Sequence, residues 1–202
     1  MAAKDTQNTI ARPDLTFPDE VSDWVRSHYE SAGVILEYGS GGSTVMGSEL
    51  SGKHLFSVES DRRWYRMMLR YLRQAGTTSP VKLSYANIGP VGKWGRPKDD
   101  EGWRGYHRYP NLVWDSEGFL APDLVLIDGR FRAACLMTVM LRTEKPVTVL
   151  FDDYVGRKQY ERVERWLKPV EIRGRMAKFD VSPTELPRKD LTEILTLYTK
   201  PF

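Results

Sequence analysis

Residues 34–44 place a glycine-rich turn directly after a short apolar strand. The strand, at residues 34–37, ends in the acidic residue Glu37, and Gly39, Gly41 and Gly42 follow at once. Glycine lets the backbone turn sharply and approach a ligand without a Cβ atom in the way. The helix after such a turn offers free amide N–H groups to polar ligand atoms. This segment therefore predicts a strand–turn–helix crossover that binds a nucleotide-type ligand.

A second acidic residue, Glu59, follows the next apolar run at residues 55–58. A carboxylate at the end of a neighbouring parallel strand is placed to bind ribose hydroxyls. A dinucleotide fingerprint would need its third glycine where this chain has Thr44. The turn thus disfavours an NAD-linked oxidoreductase, which stays open as an alternative.

Strand-like and helix-like segments alternate along the chain. Helices are predicted to begin at Pro18, to follow the glycine turn, and to span residues 61–75, 133–141 and 158–167. Strands are predicted at residues 34–37, 54–58, 81–85, 124–127, 147–151, 176–181 and 193–198. This alternation predicts an α/β fold, a doubly wound and mostly parallel sheet with helices on both faces, in one domain over residues 1–202. The last two strands are expected to pair antiparallel.

Four predicted strands end in an acidic residue, namely Glu37, Glu59, Asp128 and Asp152. The carboxyl ends of parallel strands meet at one edge of a sheet, where ligands of such folds bind. Four carboxylates at one edge repel one another unless a ligand, a metal or a capping role holds them in place. This pattern predicts the functional site at that edge.

Residues 37–44, Glu-Tyr-Gly-Ser-Gly-Gly-Ser-Thr, resemble motif I of the class I S-adenosylmethionine (SAM)-dependent methyltransferases. Glu59 matches the ribose-binding acid of that superfamily. The resemblance implies a Rossmann-like, seven-stranded sheet with an antiparallel last strand, and a SAM-dependent methyltransferase activity. It implies SAM binding by Glu37, Gly39, Ser40, Gly41, Glu59, Ser60, Asn87, Ile88 and Asp128.

Asp128-Gly129 and Asp152-Asp153-Tyr154 resemble strand-end elements of a subgroup called methyltransferase domain 24, which is similar to metal-dependent O-methyltransferases. This likeness implies Mg²⁺ bound by Asp128, Asp152 and Asp153, whose oxygens are the hard ligands that this ion prefers. The chain departs from the pattern, because it has Arg130-Phe131-Arg132 where the subgroup commonly has a histidine and Asp153 where asparagine is usual. The alternative for the acids is helix capping. The two arginines are interpreted as neutralising the carboxylates or as recognising an anionic acceptor.

A long segment at residues 89–118, here called the insertion, is rich in aromatic residues, glycine and proline. Long segments of this kind in compact domains are usually functional lids or disordered, and the aromatic residues argue against disorder. The insertion is therefore expected to shape the acceptor pocket, the alternative being a surface loop without substrate contact. Its His107 is a candidate general base, and Asp128 is a candidate catalytic residue near the reacting centre.

The chain has 202 residues, a net charge of +3 and one cysteine, Cys135, which is expected to be a small buried apolar residue. A charge this small does not imply nucleic acid. The polar start at residues 1–11 and the lack of a long apolar run predict a soluble, cytoplasmic protein without a membrane partner.

The predicted acceptor is a small molecule or a glycan oxygen. The two prolines typical of base-amine methyltransferases do not follow Asp128.

The predicted helix at residues 61–75 carries arginines on one face, at positions 62, 66, 70 and 73. Such a face is usually solvated, but these arginines have few acidic residues at helical spacing to offset them. A second hypothesis follows, in which the protein is a noncatalytic, methyltransferase-like scaffold that binds an anionic partner through this face.

Overall fold

The computed structural model describes residues 10–202 as one α/β sheet structure. Its seven strands are β1 (Val34–Tyr38), β2 (His54–Glu59), β3 (Val81–Tyr85), β4 (Leu124–Ile127), β5 (Val147–Phe151), β6 (Glu171–Arg173) and β7 (Met176–Val181). They lie in the order β3-β2-β1-β4-β5-β7-β6. The first five pair in parallel, whereas β7 runs antiparallel to both β5 and β6. The predicted Rossmann-like fold with an antiparallel last strand is confirmed.

Helices cover both faces of the sheet, as predicted. They are α1 (Asp19–Ser31), α2 (Gly42–Glu49), α3 (Arg62–Ala75), α4 (Arg108–Asn111), α5 (Arg132–Arg142), α6 (Lys158–Glu161) and α7 (Leu191–Leu197). Along β1, Ile35 packs with residues of α1 and α2, while Leu36 packs with residues of α5 and the insertion. This follows from the two-residue period of a strand, which sends successive side chains to opposite faces.

The predicted strand at residues 193–198 is wrong, because α7 occupies this segment. Its buried side chains, Ile194 and Leu197, are three positions apart, which is the spacing of a helix face and not of a strand. The partner strand of β7 is instead β6, a short hairpin neighbour that the sequence analysis missed. The predicted helix at residues 158–167 is also shorter, since α6 gives way to a 3₁₀ turn at Arg162–Arg165.

The insertion is folded and packed against the sheet. It contains 3₁₀ turns at Lys93–Gly95 and Trp103–Gly105 and then α4. Tyr106 and Tyr109 are almost fully buried in the core cluster that α5 and β4 also form. The insertion is also tied to β1, because the Tyr38 hydroxyl donates to Pro110 O (2.7 Å). Its aromatic residues thus replace the apolar contacts that a regular helix would supply.

Among residues 10–202, no helix is both long enough and apolar enough to cross a membrane. The prediction made from the polar start concerns mainly residues 1–9, which lie outside the described residues. The cytoplasmic location stays a prediction. Cys135 is fully buried in α5, as expected, and burial raises the pKa of its thiol well above the usual value.

Candidate cofactor and acceptor site

The acidic strand ends meet at one edge of the sheet, as predicted. Strand register aligns Tyr38 of β1 with Val58 of β2 and with Ile127 of β4. It also aligns Ile127 with Phe151 of β5. The residues that follow these positions, including Glu59, Asp128 and Asp152, therefore lie along the same edge, here called the carboxyl edge.

The glycine turn makes a close backbone contact between β1 and β4. Gly39 has φ +106°, a conformation that favours glycine, and a Cβ there would lie 2.9 Å from Gly129 N. A side chain at Gly42 is excluded for a different reason. Its Cβ would lie 2.3 Å from the backbone of Asp14, which crosses the start of α2. At Gly41, by contrast, no atom outside residues 40–42 lies within 4 Å of the Cβ position. The turn is thus packed at Gly39 and Gly42 and open at Gly41, and this open part of the turn is here called the cradle.

Glu37 stabilises the glycine turn through hydrogen bonds. Its carboxylate is fully buried and accepts hydrogen bonds from the Tyr29 hydroxyl and the Thr44 hydroxyl, both at 2.6 Å. Thr44 in turn accepts the amide of Gly41 at 3.0 Å. Burial raises the pKa of Glu37, and the hydrogen bonds from Thr44 and Tyr29 oppose the rise. Glu37 therefore supports the turn, and its direct contact with a cofactor stays a prediction.

Glu59 lies beside the glycine turn with one carboxylate oxygen less engaged than the other. Its Oε1 accepts the amides of Ser60 and Asp61, both at 2.6 Å, whereas its Oε2 has only the Ser40 amide at 3.4 Å. Burial raises the pKa of Glu59, and these amide hydrogen bonds oppose the rise. The Trp64 indole donates to Ser40 O at 2.7 Å and joins α3 to the turn. The arrangement leaves Oε2 able to accept from a ligand hydroxyl.

Asn87 and Ile88 follow β3 and lie beneath the insertion. Asn87 is exposed and lines a cavity of about 290 Å³, which Arg104 and Arg108 of the insertion also line. Ile88 is fully buried, and its carbonyl packs so closely on Gly102 that a Cβ there would lie 2.0 Å from the oxygen. The insertion therefore covers the part of the carboxyl edge next to β3.

The acids after β4 and β5 are paired with arginines and do not fit the predicted magnesium site. Asp152 is almost fully buried and accepts two hydrogen bonds from Arg175, both at 2.9 Å. Arg132, which is 4% exposed, donates to Asp128 at 3.1 Å and lies 3.7 Å from Asp153. Guanidinium groups thus take the place among these carboxylates that a cation would need. In residues 10–202 no cluster of three or more metal-ligating side chains is suited to an ion.

Helix capping does not account for these acids either. Helix α5 begins after Phe131, which has φ +52°, and α6 begins after Arg157. Neither helix start is capped by a side chain. The interpretation of Arg132 as a neutralising residue is the one that the structure supports, while Arg130 forms no ion pair with a described acid.

Asp128 is the strand-end acid of this group with a pKa near neutrality. Its side chain is 30% exposed. Loss of water around the rest of the side chain raises the pKa of Asp128 to about 7, with the charge of Arg132 opposing the rise and Asp152 adding to it. A carboxyl group with such a pKa can accept a proton at neutral pH, which suits a general base.

The role of His107 as a general base stays a prediction. The histidine is exposed, and its ring forms no hydrogen bond with any of the described residues, whereas Tyr106 and Tyr109 beside it are buried. The Tyr109 hydroxyl accepts the amide of Arg130 at 3.3 Å. The insertion thus brings the Tyr109 hydroxyl to the end of β4.

Sequence reasoning missed the roles of Tyr109, Arg175 and Trp64 in this site. Each acts across a long separation in the chain, since Arg175 of the β6–β7 turn meets Asp152 and Trp64 of α3 meets Ser40. For Tyr109, the only pattern in the sequence that indicates burial is its three-residue spacing from Tyr106. The arginines carry no local signal of their partners.

No protein-family model matches the chain, and no curated protein sequence does either. The membership of the domain 24 type therefore stays a prediction. Among solved structures, a methyltransferase-like protein of Silicibacter pomeroyi is 47% identical, with a TM-score of 0.90, over 94% of this chain and 99% of its own.

More distant structures share the fold. The O-methyltransferase TomG of Streptomyces achromogenes, solved in complex with SAM, is 13% identical with a TM-score of 0.57 over 85% of this chain and 83% of its own. A methyltransferase of Geobacter sulfurreducens is 10% identical with a TM-score of 0.53, over 82% and 80% of the two chains. With the strand order, the glycine turn and the strand-end acids, the similarity to the Silicibacter pomeroyi protein decides the family. The chain belongs to the class I SAM-dependent methyltransferases.

Proposed function

We propose that this protein transfers the methyl group of SAM to an oxygen of a small molecule or glycan. The observation that supports this most is the open cradle at Gly41 beside the Oε2 atom of Glu59. The cradle would take the methionine part of SAM over the glycine turn, and Glu59 would accept hydrogen bonds from the ribose hydroxyls. Asn87 and Ile88 would lie at the adenine, beside the cavity that Asn87 lines.

The chain's own residues would act mainly by position. Bound SAM would supply an electrophilic methyl group on a sulfonium. The protein would hold the acceptor oxygen in line with that group, and orientation of this kind removes much of the barrier to a two-reactant step. Asp128 would take the proton of the acceptor hydroxyl, because it lies at the carboxyl edge with a pKa of about 7.

Glu59→Gln tests the cofactor part of this proposal. We expect the affinity for S-adenosylhomocysteine (SAH) to fall by about 10- to 100-fold, because hydrogen bonds to a charged group contribute about 1.5–3 kcal/mol. Glutamine keeps the shape of the side chain, so the change removes charge and acceptor strength with little change in packing. Isothermal titration of SAM and SAH into both proteins measures the effect.

The matched control is Glu49→Gln, which removes an exposed carboxylate paired with Arg12. This variant should bind SAH like the unchanged protein. An unchanged dissociation constant for Glu59→Gln would show that the ribose site is elsewhere. A wild-type protein that binds neither SAM nor SAH would overturn the proposed function itself.

A second candidate is binding of an anionic partner by the arginine face of α3. Arg63, Arg66, Arg70 and Arg73 line a groove of about 490 Å³, so Arg63 takes the place that the sequence analysis gave to Arg62. Within residues 10–202, none of the four forms an ion pair with an acid, and α3 itself contains no acidic residue. A groove with unopposed positive charge favours a polyanion by long-range attraction.

Replacing Arg66 and Arg70 together by glutamine tests this candidate with inorganic polyphosphate as the probe. We expect about tenfold weaker binding, because two exposed charge contacts of about 0.7 kcal/mol each are lost. The control removes two exposed charges elsewhere, Arg188→Gln with Lys189→Gln. Equal binding by all three proteins would exclude the arginine face as a specific site.

A further inference from the structure

Arg130 lies at the carboxyl edge, two residues after Asp128 at the end of β4. Its amide donates to the Tyr109 hydroxyl at 3.3 Å, and its carbonyl accepts from Cys135 Sγ at 3.4 Å. The backbone of Arg130 is therefore held between the insertion and α5. Its side chain is partly buried at a place that the mechanism above does not use.

The guanidinium of Arg130 differs from its neighbours in having no acidic partner. Arg132, Arg157 and Arg175 each lie within ion-pair distance of Asp152 or Asp153, whereas Arg130 forms no ion pair with any acid in residues 10–202. Its Nε atom is buried and has no hydrogen-bond partner among the described residues. Buried polar groups in native proteins are nearly always paired, so the Arg130 guanidinium is a candidate donor to an acceptor from outside the chain.

The charges of neighbouring arginines disfavour the cationic form of Arg130. Burial lowers the pKa of Arg130, and the positive charges of Arg132 and, more weakly, Arg96 lower it further. The hydroxyls of Tyr109 and Tyr160 act in the opposite direction. Arg132 is already neutralised by Asp128 and its neighbours, but Arg96 is exposed and also has no acidic partner in the described part of the chain. Arg130 and Arg96 thus both lack an acidic partner among the described residues, and the charge of Arg96 adds to the repulsion at Arg130.

We infer that Arg130 binds an oxyanion, a carboxylate or phosphate, on the acceptor molecule. This inference rests on the proposed function and narrows its substrate class from any hydroxyl compound to one that carries such an anion. The guanidinium group suits this role, because its planar fork donates two parallel hydrogen bonds to a carboxylate or phosphate. With Asp128 two residues away, the anion would anchor the acceptor while its hydroxyl lies at the base.

The test is a titration of the SAH-saturated protein with inorganic phosphate, benzoate and the neutral analogue benzamide. We expect the unchanged protein to bind phosphate or benzoate at least tenfold more tightly than benzamide. Whichever of the two anions binds better identifies the class of oxyanion. Arg130→Gln should abolish the preference for an anion, and Arg130→Lys should keep part of it. The control Arg142→Gln, on the same side of the sheet in α5, should behave like the unchanged protein.

Three results would overturn the inference. The first is the absence of saturable phosphate and benzoate binding, and the second is an anion preference that survives in Arg130→Gln. The third is weaker SAH binding by Arg130→Gln together with no anion binding by the SAH complex, which would assign Arg130 to the carboxylate of the cofactor. Unfolding curves of each variant show that it is folded. If SAH itself does not bind, the same titration on the free protein still decides the role of Arg130, so this failure is separate from that of the proposed function.

Discussion

Replacing Arg132 by methionine lowers the free energy of unfolding by about 3–5 kcal/mol, the range for breaking a buried ion pair by removing one partner. Arg132 is 4% exposed and donates to the carboxylate of Asp128 and to the carbonyls of Gly129 and Asp152. Methionine keeps most of the apolar stem but leaves these acceptors without a donor. Two carboxylates at the carboxyl edge would then repel each other with less compensation. Urea unfolding followed by circular dichroism measures the change.

The control for this prediction lies on the same helix. Arg142 pairs with Asp115 at 2.7 Å, but the two side chains are 33% and 63% exposed. Exposed ion pairs contribute little, so Arg142→Met should cost about 1 kcal/mol or less. If Arg132→Met costs no more than this control, the arginine does not hold the acids at the ends of β4 and β5.

Gly129→Ala is expected to cost about 1–3 kcal/mol through overpacking, and to weaken SAH binding. An added Cβ would lie 1.9 Å from the Tyr109 hydroxyl, 2.9 Å from Tyr38 O and 3.0 Å from Gly39 N. Two of these atoms belong to the backbone of β1 and its turn, which cannot retreat without moving the cradle. The change should therefore affect stability and cofactor affinity together. Thermal unfolding and SAH titration give the two readouts.

Tyr109→Phe separates the two parts of this clash. Phenylalanine removes the hydroxyl that makes the shortest contact, so the double variant should be less destabilised than the sum of the two single changes. We expect a coupling of at least about 0.5 kcal/mol, as for residues in contact. Gly92→Ala is the control, since the nearest atom to its Cβ position is 3.8 Å away. Strict additivity would mean that Tyr109 does not press on Gly129.

The glycine turn and the acidic strand ends were predictable because their signals are local. A strand of two-residue period, a glycine turn and an acid at the strand end stand within a few positions of one another, and their geometry follows from the backbone. The parallel pairing of β1, β2 and β4 then brings Glu59 and Asp128 to one edge. The same reasoning failed at residues 193–198, where the sequence analysis predicted a strand. The buried residues Ile194 and Leu197 are three positions apart, and this segment packs as a helix.

The acceptor half depended on partners that are far apart in the chain. The sequence shows three aspartates and several arginines near the ends of β4 and β5, and both a metal site and helix caps were compatible with them. Only the folded chain decides that Arg132 and Arg175 neutralise Asp152, that Arg130 is left without an acid, and that Tyr109 of the insertion reaches Gly129. By itself, the sequence determined the fold class and the glycine turn, since these follow from contacts between near neighbours. The tertiary structure decided which charges cancel, because an ion pair depends on the distance between side chains that the topology brings together and that local patterns do not encode.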